Sequence, residues 1–425
     1  MTKELDPYAL RNQFPSLTLE VDGQPAVFFD GPGGTQTPQR VIDAIGHYLS
    51  HDNSNLSGAF VTSQNTDAVV DAARNAMADL FNARRPEEIS FGQNMTSLTF
   101  AVSRAISQKW QPGDEIIVTR LDHDANITPW VLSAKDRGVT VRWLDFRPAD
   151  CTLDLDSLNT LLNERTRLIA VSYASNAVGS LVDVGRVVRM AHETGALVYV
   201  DAVHYSPHNP VDVQALDCDF LAASAYKFFG PHTGIMYGKY ELMEKLAAYK
   251  VRPAPALPPG KWETGTQSFE SLAGVTAAID YLEAIGQAYG PEPAKEPATL
   301  TGRRHHLKQA MQSIKRYEKE LSQHFLEQAT TVPGLRLFGI SDVERLSERA
   351  PTFAISVAGH SPRNVAQHLG KQGIFTWDGH YYAVAVMERL GVLEAGGLLR
   401  IGFVHYNTIE EIDRLILGLK QLSKM

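Results

Sequence analysis

Seven short apolar runs recur between residues 88 and 240, separated by amphipathic stretches. They are EISF (88–91), EIIVT (115–119), VTVRWLD (139–145), LIAVSY (168–173), LVYVD (197–201), DFLAAS (219–224) and GIMYG (234–238). Stretches between them, such as DVGRVVRMAHETG (183–195), carry apolar residues at helical spacing. A strand that is apolar throughout needs cover on both faces, and intervening helices can supply it. The pattern predicts an α/β chain built on a mostly parallel, seven-stranded sheet.

After residue 270 the texture changes. SLAGVTAAIDYLEAIG (271–286) reads as a long helix, and GPEPAKEPATLTG (290–302) as a Pro-rich exposed loop. A helical connector is expected over about 303–330. Short strands follow in TFAISV (352–357), GIFTW (373–377) and LRIGF (399–403). In the final stretch, NTIEEIDRLILGLKQL, Thr408 and Glu411 have capping-box spacing, and Ile409, Ile412, Ile416 and Leu419 form a stripe. These elements predict a smaller α+β C-terminal domain. The expected division is a large domain over 28–285, a connector helix with the small domain over 286–425, and an N-terminal segment, 1–27, packed on the small domain.

Composition narrows the function. Forty basic and 48 acidic side chains leave a net charge of −8, which gives no basic footprint for nucleic acid or anionic membrane. No apolar run approaches a membrane span, and the polar start MTKELDPYALRNQF lacks a signal-peptide core. The two cysteines, Cys151 and Cys218, exclude a disulfide framework and a cysteine-rich metal site. The expectation is a cytoplasmic protein with a small-molecule partner, no nucleic acid, no membrane and no metal. His204, His208 and Asp212 read as loop residues rather than metal ligands.

Ligands in open parallel sheets bind beyond the carboxyl ends of the strands. Polar residues collect at such ends here. Asp201 closes LVYVD; Ser224, Tyr226 and Lys227 follow DFLAAS; Asn176 follows LIAVSY; and His123 follows EIIVT. Asn94 to Ser97 follow EISF and precede a helical stretch. Lysine is rarely buried, so Lys227 at the end of an apolar strand asks for a reason. Burial lowers the pKa of an amine and favours its attack on an aldehyde. A protonated pyridine nitrogen needs a carboxylate such as Asp201. A phosphate suits backbone N–H groups at a helix start, from Asn94, Met95 and Thr96, with the Ser224 hydroxyl. His123 can stack on a flat ring. Singly, each has an ordinary alternative: a cap, a turn residue, a structural histidine. GPGGTQTP (31–38) lacks the phosphate-loop pattern. The set and its order along the chain point to a phosphate-bearing, cationic-ring cofactor.

From FFDGPGGTQTPQRVIDAI (28–45) to the C-terminal helix, the chain resembles the fold-type I pyridoxal 5'-phosphate (PLP) enzymes of aminotransferase class V, within these the cysteine desulfurase-like group. The resemblance is carried by GDEIIVTRLDHDANITPW, VSYASNAVGS, VYVDAVH, DFLAASAYKFFGPHTGIMYG and WETGTQ. It implies that Lys227 forms the Schiff base, that Asp201 pairs with the pyridinium nitrogen, and that His123 stacks on the ring as a second catalytic residue. Asn176 and His204 would lie near the ring oxygen. Asn94, Met95, Thr96, Ser224 and Tyr226 would hold the phosphate. Thr266 would reach the phosphate of a partner subunit, which implies a homodimer. Arg400 would clamp the substrate carboxylate, with Gly33, His380 and Tyr382 on the substrate side.

The chain departs from that family at three points. Tyr226 stands before the lysine, where histidine is usual. His204 stands where desulfurases often have glutamine. In GHYYAVAVMERLG (379–391), Tyr382 stands at the position of the catalytic cysteine. A desulfurase needs a thiolate to accept sulfur, so the favoured expectation is a PLP lyase that cleaves a C–S bond by β-elimination through an external aldimine. The alternatives are an aminotransferase or amino-acid epimerase of class V, a desulfurase with an unusual sulfur acceptor, and a PLP binder without turnover.

Overall fold

The computed structural model describes residues 4–290 and 300–422. Most of the expected Pro-rich loop lies outside the described residues. The seven apolar runs form one sheet. Its strands are β1 (Ile89–Gly92), β2 (Glu115–Thr119), β3 (Thr140–Leu144), β4 (Thr166–Ser172), β5 (Leu197–Asp201), β6 (Phe220–Ser224) and β7 (Gly234–Gly238). Their order across the sheet is β1-β7-β6-β5-β4-β2-β3, and only β7 runs antiparallel to its neighbours. The central strands are buried on both faces, which is why their sequences do not alternate.

Local chemistry sets the element ends. The helix Met95–Ile106 starts where the Asn94 side chain accepts from Ser97 N–H at 2.8 Å. The helix Val184–Glu193 starts where Asp183 accepts from Arg186 N–H at 2.9 Å. Long helices at Phe269–Tyr289 and Gly302–Ala329 pack together and lead to a second sheet.

That sheet contains β8 (Leu335–Phe338), β9 (Thr352–Val357), β10 (Trp377–Gly379) and β11 (Leu398–Gly402), ordered β8-β9-β11-β10 and antiparallel throughout. Two details differ from the sequence expectation. Strand β8 was not foreseen, because LRLF is short and only one of its residues is buried. The run GIFTW is also not one strand. Ile374–Phe375 pairs in parallel with Val27–Phe28, while Trp377 begins β10. The chain changes partner at Thr376, and this switch turns Trp377 toward the site.

The capping box holds. Thr408 N–H donates to Glu411 Oε2 at 3.2 Å, and Glu411 N–H donates to Thr408 Oγ1 at 3.4 Å. Glu411 also pairs with Arg11 at 2.7 Å, and Tyr8 donates to Glu410 at 2.7 Å. The N-terminal segment is thereby tied to the last helix. Among the described residues, no helix is long and apolar enough to cross a membrane.

Candidate active site

A cavity of about 740 Å³ opens beyond the carboxyl ends of the parallel strands. Lys227 sits in the single turn Ala225–Lys227 that follows β6. It is 8% exposed, and its Nζ donates to the Pro32 carbonyl. Burial and then the Arg400 charge pull its pKa down to about 7, against the opposing pull of Asp201 and Asp30. A large share of Lys227 is therefore a neutral amine near pH 7.

Asp201 ends β5, one strand over. One of its oxygens accepts from Val203 N–H at 2.9 Å, and burial raises its pKa to about 6. A buried carboxylate pushed up in this way is eased by a cation, which is what a protonated ring nitrogen would supply.

His123 follows β2. Its Nδ1 accepts from Ala125 N–H at 3.0 Å, so the neutral ring carries its proton on Nε2. Burial, with Lys227 and Arg400 nearby, holds its pKa down at about 4. The ring is therefore neutral and free to stack. Its loop is fixed from below by Asp122, which accepts from Thr119 Oγ1 at 2.6 Å, Asn126 Nδ2 at 2.6 Å and Ser172 N–H at 3.0 Å. Those bonds join β2 to β4 beneath the cavity.

Arg400 arrives from β11, in the other sheet. One nitrogen donates to the Asn176 carbonyl at 2.9 Å, and the guanidinium lies 4.4 Å from the Tyr381 ring centre. Its Nε and the Asn176 Oδ1 are buried without hydrogen-bond partners. A buried guanidinium edge with nothing to donate to suits an anionic guest. The turn Gly31–Gly33 is held against β11, because Gly402 leaves room where a Cβ would strike Pro32.

Every residue expected at the cofactor or substrate lines this one cavity, except Thr266. Lys227, His123, Asp201, His204, Asn176, Asn94, Met95, Thr96, Ser224, Tyr226, Arg400, Gly33, His380 and Tyr382 come together from segments spread over more than 350 residues. Thr266 is exposed, in the loop before the helix Phe269–Tyr289. His204 is buried and bonded to Thr352 Oγ1 at 2.9 Å, and burial holds its pKa well down.

Asp30, Asp122 and Trp377 carry no functional expectation from sequence. Asp30 carries a buried, unpartnered Oδ1, and burial raises its pKa to about 6. Its signal was an acid closing the apolar run AVFF. Trp377 carried no signal, since its neighbours in sequence do not predict the strand switch.

The set fits a phosphate-bearing aldehyde with a basic ring nitrogen. The N–H groups of Met95 and Thr96, in the first turn of their helix, have no intrahelical acceptors, and both residues line the cavity.

The aminotransferase class-V model matches residues 27–300 and 298–415. Over 98% of both chains, this protein is 33% identical to a cysteine desulfurase of Pectobacterium atrosepticum. It is 31% identical to a probable cysteine desulfurase of Streptomyces coelicolor, over 98% of this chain and 97% of the other. Among solved structures, the apo cysteine desulfurase of Thermococcus onnurineus superposes with a TM-score of 0.87 at 25% identity, covering all of both chains. A cysteine desulfurase of Escherichia coli gives 0.82 at 28%, covering 99% of each. The matches run through both sheets and the cavity between them, and the chain belongs to the aminotransferase class-V family of PLP-dependent enzymes.

Proposed function

We propose that this protein is a C–S lyase that acts by β-elimination on a sulfur-containing amino acid, without a cysteine to accept the sulfur. The observation that carries this reading is the position of the two thiols. Cys151 lies in the turn after Phe146–Arg147, and Cys218 lies just before β6. Both are buried, and neither lines the cavity. Burial lifts the Cys151 thiol to about 12 and the Cys218 thiol well above its usual value. Neither thiol offers a thiolate at neutral pH. Tyr382 lines the cavity instead, at the position that the resemblance gives to the desulfurase cysteine.

In this reading Lys227, Asp201, Asn176 and His204 hold PLP by its ring, His123 covers it, and the helix start at Asn94 to Thr96 takes the phosphate with Ser224 and Tyr226. When bound, PLP supplies an aldehyde for the substrate amine and an electron sink for the α-carbon. Arg400 binds the substrate carboxylate and fixes which α-bond faces Lys227. The neutral Lys227 amine takes the α-proton at Nζ. His380 or the Tyr382 hydroxyl protonates the departing sulfur at the cavity wall.

A homodimer is part of the proposal. Thr266 lies outside its own cavity, and the apolar side chains of Phe60, Val61, Tyr249 and Val251 are 58–68% exposed, which suits a face covered by a second copy. The division into 1–27, 28–285 and 286–425 is proposed on the same footing, supported by the two separate sheets.

The test is product analysis with L-cysteine and L-cystine. Pyruvate at catalytic turnover is expected. Alanine overturns the reading in favour of desulfuration, mercaptopyruvate in favour of transamination, and D-cysteine in favour of epimerisation.

A further inference from the structure

Hydrogen sulfide is a small leaving group, and the outer part of the cavity is not built for one. Its wall carries Phe100, Trp377 and Tyr382. Trp377 is 50% exposed and Tyr382 is 68% exposed. Large aromatic faces left open on a ligand cavity are surface for a flat, apolar group to cover.

Both rings are held in place. Trp377 packs on Gly33, where a Cβ would come within 2.3 Å of the indole nitrogen, so the close approach requires glycine. Tyr382 lies in a backbone pinned at two successive carbonyls. Asn176 Nδ2 donates to the Tyr381 carbonyl at 2.9 Å, and Asp124 N–H donates to the Tyr382 carbonyl at 2.7 Å. Tyr381 and Tyr382 have φ of 53° and 57°, a conformation that non-glycine residues adopt only when their surroundings impose it. Such strain is found where a side chain is aimed for use.

We propose that the substrate is a cysteine thioether whose sulfur carries an aromatic or comparably flat apolar group, seated against Trp377 and Tyr382. This rests on the C–S lyase reading and names its substrate class. The stoichiometry closes without an acceptor thiol. The α-proton goes to Lys227, the Cβ–S bond breaks with both electrons leaving on sulfur, and the thiolate takes a proton to leave as a thiol. The remaining enamine hydrolyses with one water to pyruvate and ammonia. No oxidant or reductant is needed. The free thiol product requires a later step that methylates, oxidises or exports it.

Two measurements on the holoenzyme decide this. The first is binding, by calorimetry, of 3-(phenylthio)propanoate and of propanoate. Neither has an amine, so neither turns over. The phenyl compound binds about 10-fold more tightly or better if its ring stacks on the wall. Trp377→Ala and Tyr382→Ala each remove most of that preference. The second is pyruvate release from S-phenyl-L-cysteine and from L-cysteine, with kcat/KM at least about 10-fold higher for the thioether. Equal binding of the two acids overturns the aromatic wall, whatever the turnover. Selective binding without pyruvate from any cysteine derivative keeps the wall and overturns the lyase reading beneath it. Selective binding with a kcat/KM that favours L-cysteine overturns the thioether as substrate.

Discussion

The rings of His123 and Tyr382 stack, with centroids 5.5 Å apart and planes 17° from parallel. Tyr382 thus lies over the residue expected to cover the cofactor. The contact is reinforced from the backbone, where Asp124 N–H donates to the Tyr382 carbonyl. A side chain at 382 is therefore held near the chemistry, whatever that side chain is.

Replacing it tests the proposal that no thiol accepts the sulfur. In Tyr382→Cys, a thiol replaces an exposed phenol on the cavity wall. The expected outcome with L-cysteine is a shift of product from pyruvate toward alanine, with a persulfide on residue 382 detected by mass spectrometry. Unchanged pyruvate would mean that position 382 does not reach the sulfur.

Lys227 predicts a pH dependence. Its folded pKa of about 7 lies below the ordinary lysine value of 10.5. Only the neutral amine reacts with an aldehyde, so the rate at which cofactor-free protein takes up PLP should rise with pH and level off above about 7. A lysine with ordinary solvation would keep gaining about tenfold per pH unit up to pH 10. The linked stability has the same sign. Between pH 7 and 10.5 the unfolded chain binds the proton that the folded chain has lost, so this group makes the cofactor-free protein more stable as pH rises through that window. Lys227→Ala should abolish the borohydride-reducible adduct, and an adduct retained on another lysine would remove Lys227 from its role.

Arg400 predicts a loss centred on substrate binding. Its unpartnered Nε and its anchoring to the Asn176 carbonyl leave a fixed edge for a carboxylate. Arg400→Lys keeps the charge but not the fork, and should raise KM by about 10-fold, with about 100-fold for Arg400→Ala. Cofactor absorbance should be retained in both. An unchanged KM in Arg400→Ala would place the carboxylate elsewhere.

Glu263 predicts a stability effect away from the chemistry. It forms a two-bond ion pair with Arg74, both bonds 2.7 Å long, and accepts from Phe91 N–H at 2.9 Å. It also holds Gln267, the neighbour of Thr266, at 2.5 Å. Both charged side chains are largely buried, so Glu263→Ala strands the Arg74 guanidinium and should cost about 3 kcal/mol in urea unfolding. If Thr266 serves a partner subunit, the same variant should also weaken dimerisation in sedimentation. A variant as stable as the parent would show that Arg74 finds water instead.

What the sequence determined is what depends on short stretches of chain. The central strands were legible because burial on both faces removes alternation within five residues or so, as in LVYVD and FLAAS, while the edge strand β3 alternates instead. Lys227, Asp201 and His123 were legible because each lies at or within four residues of a strand's carboxyl end, and a parallel sheet gathers such ends at one edge. The capping box at Thr408 and Glu411 was legible for the same local reason. Tertiary structure decided the rest. The Gly33–Trp377 contact joins residues more than 300 apart, through a strand that changes partner at Thr376. Asp30 gained its raised pKa only when distant segments buried it, against the opposing pull of Arg400 and Lys227. The left-handed pair Tyr381–Tyr382 has no signature in its own residues, and bonds from Asn176 and Asp124 hold it. Local propensity acts along the chain. Burial, strain and the pairing of charges arise when distant segments exclude water from one another, so the wall of the cavity belongs to the fold rather than to any motif.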